Sequence, residues 1–401
     1  MAQPLSGLRV VDFSHIMAGP FATHFLRLLG AEVIKVEPEG TGDHFRNYDP
    51  DHRYDGMAPA FIAANAGKKS VVLNLKDEAG KEAARRLIAS ADVVVENFRP
   101  GVMARLGLGY EVAKALRPDV IFCSISGYGQ AGPMRDYPAI DNVVQAVAGV
   151  MNVSGEEGGP PVRMGVPIVD TYVGTLGAMA ILAALVHRER TSEGQFIDVA
   201  MLDAALVMAT AAATPYLVKG EVLARTGNTG FSGQPTAGLF LCADGAQVSL
   251  GVVQQNQYET LCRVLARPDL ITDPRFSDIR ARRKHFTQLT AILEGLFLTR
   301  SSIEWETDLS VVGVPCGAVR DIAAACELPQ LEGRNLKQKI TIPGLPGKED
   351  VFVLNAGFVF AHDGPGVDQP PPYLGQHTRE ILESLGLGDG SAAAEPGAAK
   401  A

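Results

Sequence analysis

The sequence predicts an α/β protein, with a large domain built on a mostly parallel sheet and a smaller α+β domain. Three observations carry that expectation. Short apolar runs alternate with helix-length amphipathic stretches through the first half, as βαβ units do. After Val218 the pattern changes, and two apolar runs flank Asp244-Gly245, a strong hairpin signal. At 401 residues, with 46% hydrophobic and 20% charged, the chain is long and apolar enough for more than one core.

The first run, Leu8–Phe13, precedes helical spacing at Phe21–Leu29. Glu32–Glu37, Ser70–Leu75, Ala91–Glu96 and Val120–Ser124 read as further strands, with Asp77–Ala89 an amphipathic helix between two of them. Ligands of parallel sheets bind in loops beyond the carboxyl ends of the strands. Those loops are Ser14–Pro20, Pro38–Arg46, Asn97–Gly101 and Ile125–Pro133. Two helices, Thr171–His187 and Met201–Val218, are more apolar than one solvated face requires and need burial on both sides. Asp203 and Pro215 argue against reading Val199–Val218 as a membrane span.

Beyond the Gly227–Pro235 loop, Gly238–Ala243 and Gln247–Val252 form the hairpin, Asn256–Leu265 and Thr287–Leu298 are helical, and Val312–Val319 reads as a connection. His377–Ser384 is a last helix. The expected division is 1–205 with about 373–390 as the large domain, 206–226 as a linker and 227–326 as the small domain. Residues 327–372 read as a return linker, and 391–401 as a disordered tail of small residues.

Composition narrows the function. A net charge of −9 argues against a general nucleic-acid binder. Five scattered cysteines without CxxC spacing indicate neither a disulfide framework nor a zinc site. No two histidines have helical metal spacing, so no metal is expected. Met1–Arg9 lacks a signal-peptide layout, and with the cysteine usage this gives a cytoplasmic location as the expectation. The loop after the first strand, Ser14-His15-Ile16-Met17-Ala18-Gly19-Pro20, is no GxGxxG, and the chain has no GxSxG.

Glu96-Asn97-Phe98-Arg99-Pro100-Gly101 ends a strand. Phe98 offers a ring for stacking, Asn97 both donors and an acceptor, and Arg99 and Arg105 hold for phosphate, although Pro100-Gly101 also makes an ordinary turn. His15 is a ligand contact or a packing residue; Lys68, Lys69 and Lys76 draw in phosphate or form a solvated face. Gly227–Gln234 is a loop that closes on a ligand or a domain linker. Asp170, at the start of a small-residue helix, is an N-cap or a catalytic carboxylate. Arg163, seven residues before it, is a partner for a second substrate carboxylate or a surface residue.

In order, these segments resemble the class III CoA-transferases, the family of formyl-CoA transferase and carnitine CoA-transferase. The resemblance runs from Leu5 to about Leu387. It rests on Leu8–Asp12 with Ala18–Thr23, Leu29–Glu37, Gly42-Asp43, Glu96–Gly101, Leu106–Tyr110, Ser124–Gln130, Gly313–Gly317 and Leu374–Thr378. It implies a Rossmann-like large domain, a small domain, and an interlocked ring-like homodimer. The substrates implied are an acyl-CoA and a free carboxylic acid, with coenzyme A as substrate, no tightly bound cofactor, and neither nucleic acid nor membrane as partner. It implies that Asp170 is acylated, that His15, Ala18, Leu73, Lys76, Asn97, Phe98 and Arg105 contact CoA, and that Gly230, Gly233 and Gln234 form a mobile loop over the active site. Met17 and Pro38 depart from the glutamine and arginine of formyl-CoA transferase, which puts oxalate and formate in doubt. The related α-methylacyl-CoA racemases are the alternative. They place a histidine where this chain has Ile140, so a second base is missing. A CoA-binding protein without turnover is the alternative of another class.

Overall fold

The structure is a computed structural model, described over residues 3–51, 53–230 and 232–387. The expected tail, 391–401, lies outside the described residues. The chain forms two compact units. One comprises Met1–Val150, Arg163–Gly220 and Pro329–Ala401; the other comprises Met151–Val162 and Glu221–Leu328.

The first unit runs β1 (Arg9–Asp12), α1 (Ala18–Leu28), β2 (Glu32–Glu37), α2 (Pro59–Asn65), β3 (Lys69–Val72), α3 (Glu78–Ser90), β4 (Val93–Glu96), α4 (Val102–Arg105), α5 (Tyr110–Leu116), β5 (Ile121–Ser126) and α6 (Asp141–Val147). Most of a short α7 (Val150–Val153) lies in Met151–Val162 of the other unit, and the first unit resumes with α8 (Ile168–Thr191), β6 (Gln195–Ala200), α9 (Met201–Met208) and α10 (Thr210–Lys219). The six strands are all parallel, in the order β3-β2-β1-β4-β5-β6. That order reverses direction between β1 and β4, the place where such sheets bind ligands.

Alternation along the strands builds a core on each face. Val10, Val33, Val95 and Ile121 pack with residues of α1, α8 and α9, while Val11, Ile34, Val94 and Phe122 pack with α3, α5 and a C-terminal helix. Glycines let α8 sit close to α1. A Cβ on Gly174 would lie 2.6 Å from the Ala18 carbonyl oxygen. By length and composition α8 is able to cross a membrane, yet Val169, Val173, Ile181 and Leu185 lie in the core beneath it.

At the carboxyl ends of β1 and β2 the α1-side residues are charged and buried. Asp12 pairs with Lys68 at 3.0 Å, Lys35 with Asp43 at 2.8 Å, and Glu37 with Arg46 at 2.6 Å. Lys68, read as a possible phosphate ligand, is instead fully buried; its Nζ also donates to the Pro20 carbonyl and Thr23 Oγ1. Burial lowers its pKa to about 8, against the pull of Asp12.

The C-terminal segment returns to this unit. Residues 327–372, expected as a linker, contain a hairpin of β10 (Lys337–Thr341) and β11 (Asp350–Leu354), packed with α2 in a small core around Phe61 and Ile342. Leu374–Thr378 then covers the free edge of β3. Ser70 N–H donates to His377 Nδ1 at 3.2 Å, His377 N–H to the Ser70 carbonyl at 3.0 Å, and Val72 N–H to Thr378 Oγ1 at 3.0 Å. The last helix is α17 (Thr378–Ser384).

The second unit contains β7 (Ala237–Leu241), β8 (Gln247–Gly251), α11 (Gln255–Val264), α12 (Asp269–Thr272), α13 (Ile279–Lys284), α14 (Phe286–Phe297), α15 (Ser302–Val311), β9 (Cys316–Ala318) and α16 (Ile322–Cys326). Its antiparallel sheet, β7-β8-β9, shares a core with Tyr258, Phe276, Leu293 and Trp305. Val312–Val319 therefore carries a strand, where only a connection is legible in its glycine and proline. The single helix expected over Met201–Val218 is two helices, bent by 84°. The break falls at Ala209, upstream of Pro215, which lies inside α10.

Candidate active site

The loop after β1 turns back on itself tightly. A Cβ on Gly19 would come within 2.2 Å of the Ser14 Cβ. Ile16 takes φ +71°, a strained value for a β-branched residue. Its N–H donates to the Asp43 carboxylate at 3.0 Å, so the buried Lys35–Asp43 pair holds the strained residue.

This loop is tied to the loop after β4 across the point where strand order reverses. The Asn97 Oδ1 accepts the His15 N–H at 2.9 Å, and the Asn97 amide donates to the His15 carbonyl at 2.8 Å. The His15 and Phe98 rings lie 5.7 Å apart. Burial and the nearby Lys35 lower the His15 pKa, and its Nδ1 is buried without a hydrogen-bond partner. A neutral imidazole beside a half-exposed phenyl ring suits a planar, uncharged group.

Cations surround this edge. Lys76, Arg99, Arg105 and Arg135 are exposed. A Cβ on Gly101 would lie 3.2 Å from an Arg105 guanidinium nitrogen and 3.6 Å from one of Arg135, so two guanidinium groups converge over one glycine. The second of these, Arg135, was not singled out in the sequence; it lies far from the Asn97–Gly101 motif in the chain. Leu73 has a buried side chain, and its N–H donates to the Glu37 carbonyl at 3.0 Å. It therefore offers a ligand its backbone alone. Ala18, likewise buried, begins α1.

Asp170 lies in the first turn of α8, with Pro167 as N-cap, and makes no capping bond. The reading of Asp170 as the N-cap is thereby replaced. The cap comes from α6: Asp141 Oδ2 accepts the N–H of Val169 at 2.8 Å and that of Asp170 at 3.0 Å. Asp141 Oδ1 accepts the Gln145 amide at 2.6 Å, and Gln145 Oε1 accepts the Met164 N–H at 2.9 Å. Asp141 is a second site residue that no sequence motif marks; its role depends on contacts with α8, more than twenty residues on. Because Asp141 does the capping, the Asp170 carboxyl is left free. Burial raises its pKa to about 7, and the Asp141 charge adds to the rise. Asp170 shares a helix face with Gly174, one turn on, which touches Ala18. Arg163 is exposed beside the anchored Met164.

The glycine loop belongs to the other unit. Gly230 N–H donates to the Ala237 carbonyl at 3.0 Å, and Gly233 takes φ +60°. Gln234 is buried, and its amide donates to the Ile279 carbonyl at 3.2 Å, anchoring the loop to α13. Among the described residues no cluster of His, Cys, Asp and Glu is arranged to hold a metal.

Residues 5–378 match the CoA-transferase family III model. Among curated proteins, the chain is 37% identical to an acetyl-CoA:oxalate CoA-transferase of Acetobacter aceti, over 90% of this chain and 92% of that protein. It is 34% identical to a succinyl-CoA:glutarate CoA-transferase of Mus musculus, over 96% of this chain and 86% of that one. A crystal structure of a CAIB/BAIF family protein from Brucella suis is similar with a TM-score of 0.84 at 33% identity, covering 96% of this chain and 100% of the other.

Proposed function

The chain belongs to CoA-transferase family III, and from that premise we propose that it moves CoA from an acyl-CoA donor to a free carboxylic acid through an aspartyl-CoA thioester on Asp170. The observation that carries the assignment is the Asp170 carboxyl itself. It is released from capping by Asp141 and has a pKa near neutrality, which makes it more nucleophilic than an ordinary carboxylate. A carboxylate oxygen of Asp170 adds to the donor thioester carbonyl, the C–S bond breaks, and CoA leaves as thiolate from a mixed anhydride. The thiolate adds to the Asp170 carbonyl of that anhydride, and the donor acid leaves as carboxylate. The acceptor carboxylate then attacks the aspartyl thioester, and the returning thiolate releases Asp170 and the new acyl-CoA. Anhydride and thioester are both activated acyl groups, so no step needs water or a nucleotide.

Phe98 and His15 receive the planar part of CoA, and Arg105 with Arg135 its phosphates. The acceptor is a short dicarboxylate whose second carboxylate pairs with Arg163. The exposed guanidinium supports this, as do the dicarboxylate substrates in the names of relatives. The working form is a homodimer in the cytoplasm. In support, α10 has no buried residue and leaves Leu217 78% and Val218 72% exposed.

The test is a panel of carboxylic acids with acetyl-CoA and succinyl-CoA as donors, run beside racemisation of a 2-methylacyl-CoA. Transfer, its loss in Asp170→Ala, and trapping of an Asp170 hydroxamate by hydroxylamine are the expected results. Racemisation without transfer refutes the reading, as does CoA binding without turnover.

A further inference from the structure

Three neighbouring strand ends are laced together by polar groups that the transfer chemistry does not use. Glu96 ends β4 with its side chain buried. Its Oε2 accepts the Phe98 N–H at 2.8 Å, and its Oε1 accepts the hydroxyl of Ser124 on β5. Ser124 Oγ in turn accepts the Gln130 amide at 2.8 Å, and the Gln130 N–H donates to Asp198 Oδ2 on β6 at 2.9 Å. The chain of bonds thus runs from the loop bearing Phe98 to the loop bearing Arg135.

Counting donors shows which state of Glu96 this lacing needs. A carboxylate accepts from both Phe98 and Ser124, leaving Ser124 free to accept from Gln130. Protonation turns one of the two acceptor oxygens into a donor: on Oε1 the proton faces Ser124, which then accepts twice and leaves its own hydrogen unpartnered, and on Oε2 it weakens acceptance from the Phe98 N–H.

Resting on the assignment of these loops to CoA, we propose that Glu96 is a positioning residue for CoA, which as a carboxylate locks the Phe98 ring and the Arg135 loop into one binding surface. Among the described residues no cation pairs with it. The charged group acting on it is Asp198 of β6, and β5 adds the buried thiol of Cys123. On the face of β4 that carries Glu96, α5 adds the exposed Glu111 and Lys114, the latter 5.9 Å from the Tyr110 ring, and α4 ends in the exposed Arg105, while Asp12 and the charged groups of α1 lie on the other face. Burial raises Glu96 to about 7, so the lock opens as pH falls through neutrality. CoA affinity therefore declines on mild acidification, independently of the acyl chemistry.

The probe is dephospho-CoA, whose pyrophosphate stays ionised, titrated calorimetrically into the intact enzyme at about pH 8 and about pH 6. Wild-type affinity should fall about tenfold between the two, the usual weight of a hydrogen bond to a charged group. Glu96→Gln should show the lower affinity at both. Ser124→Ala, which breaks the lacing while leaving the Glu96 carboxyl in place, should bind several-fold more weakly than wild type at pH 8. Phe98→Ala serves as the reference. If it weakens binding while Glu96→Gln and Ser124→Ala bind as wild type, the lock is refuted. If Phe98→Ala itself binds normally, the CoA assignment of the loop has failed instead.

Discussion

Replacing Asp170 with Asn should remove transfer and make the protein more stable at alkaline pH. Asp170 has a folded-state pKa of about 7 against an ordinary 3.8, because burial and then Asp141 disfavour its charge. Between those values the folded protein keeps a proton that the unfolded chain has lost, so wild-type stability falls as pH rises through this window and levels off above 7. One pKa unit corresponds to about 1.4 kcal/mol. The rise from pH 5 to pH 7 would thus cost the wild type at most about 2.7 kcal/mol, and partial exposure of the side chain reduces this to about 1–2 kcal/mol. Asn has no proton to lose. The gain of Asp170→Asn over wild type should therefore be about 1–2 kcal/mol larger at pH 8 than at pH 5. Urea unfolding at matched protein concentration measures it. In Asp170→Ala, a uniform loss of about 1 kcal/mol at both pH values would be the signature of a missing N-cap, and would refute the assignment of the cap to Asp141.

The rate of enzyme acylation by an acyl-CoA should rise with pH and plateau above about 7, since the attacking species is the Asp170 carboxylate. Asp141→Asn removes the like charge and should move that inflection to lower pH; an unmoved inflection in a pH–rate profile contradicts the coupling. Arg105→Ala and Arg135→Ala should each raise KM for the CoA thioester about fivefold with kcat nearly unchanged, the effect shrinking in high salt. Arg163→Ala should weaken dicarboxylate acceptors and spare monocarboxylates, and equal effects on both in the acid panel would remove its role. Lys68→Met, which strands Asp12 in the core, should cost about 3–5 kcal/mol in denaturant unfolding.

The strands buried on both faces were the most legible part of the chain. Glu32–Glu37 is recovered to the residue, because its apolar run ends at the loop it serves. The edge strand β6 was missed, since Gln195 and Phe196 are exposed and its alternating polar residues resemble a loop. β9 is three residues long and is specified by its pairing with β8, which no local pattern records. At the site, Asn97, Phe98 and His15 are brought together as their positions at two neighbouring strand ends imply. Lys68 is not legible because its partner, Asp12, lies far away in sequence and only the folded sheet, with β2 between their strands, brings the two together. Asp141 and Arg135 escaped for the same reason: each acts on a residue of another element, Asp170 and Gly101 respectively.

The covering of the β3 edge by Leu374–Thr378 also bears on the order in which the protein is made. Glu221–Leu328 is one unbroken stretch of its unit, with a core of its own, and most of that unit is complete while the ribosome is still translating. The parallel sheet is in a different position. Its strands emerge first, yet the N–H groups of Ser70 and Val72 have no partners until His377 and Thr378 arrive. Throughout that interval the nascent chain carries an open strand edge, the kind of surface that recruits a neighbouring chain. Stalling or truncation shortly before residue 374 should accordingly yield aggregates rather than a soluble shortened enzyme, and a peptide spanning 374–384 added in trans should relieve them.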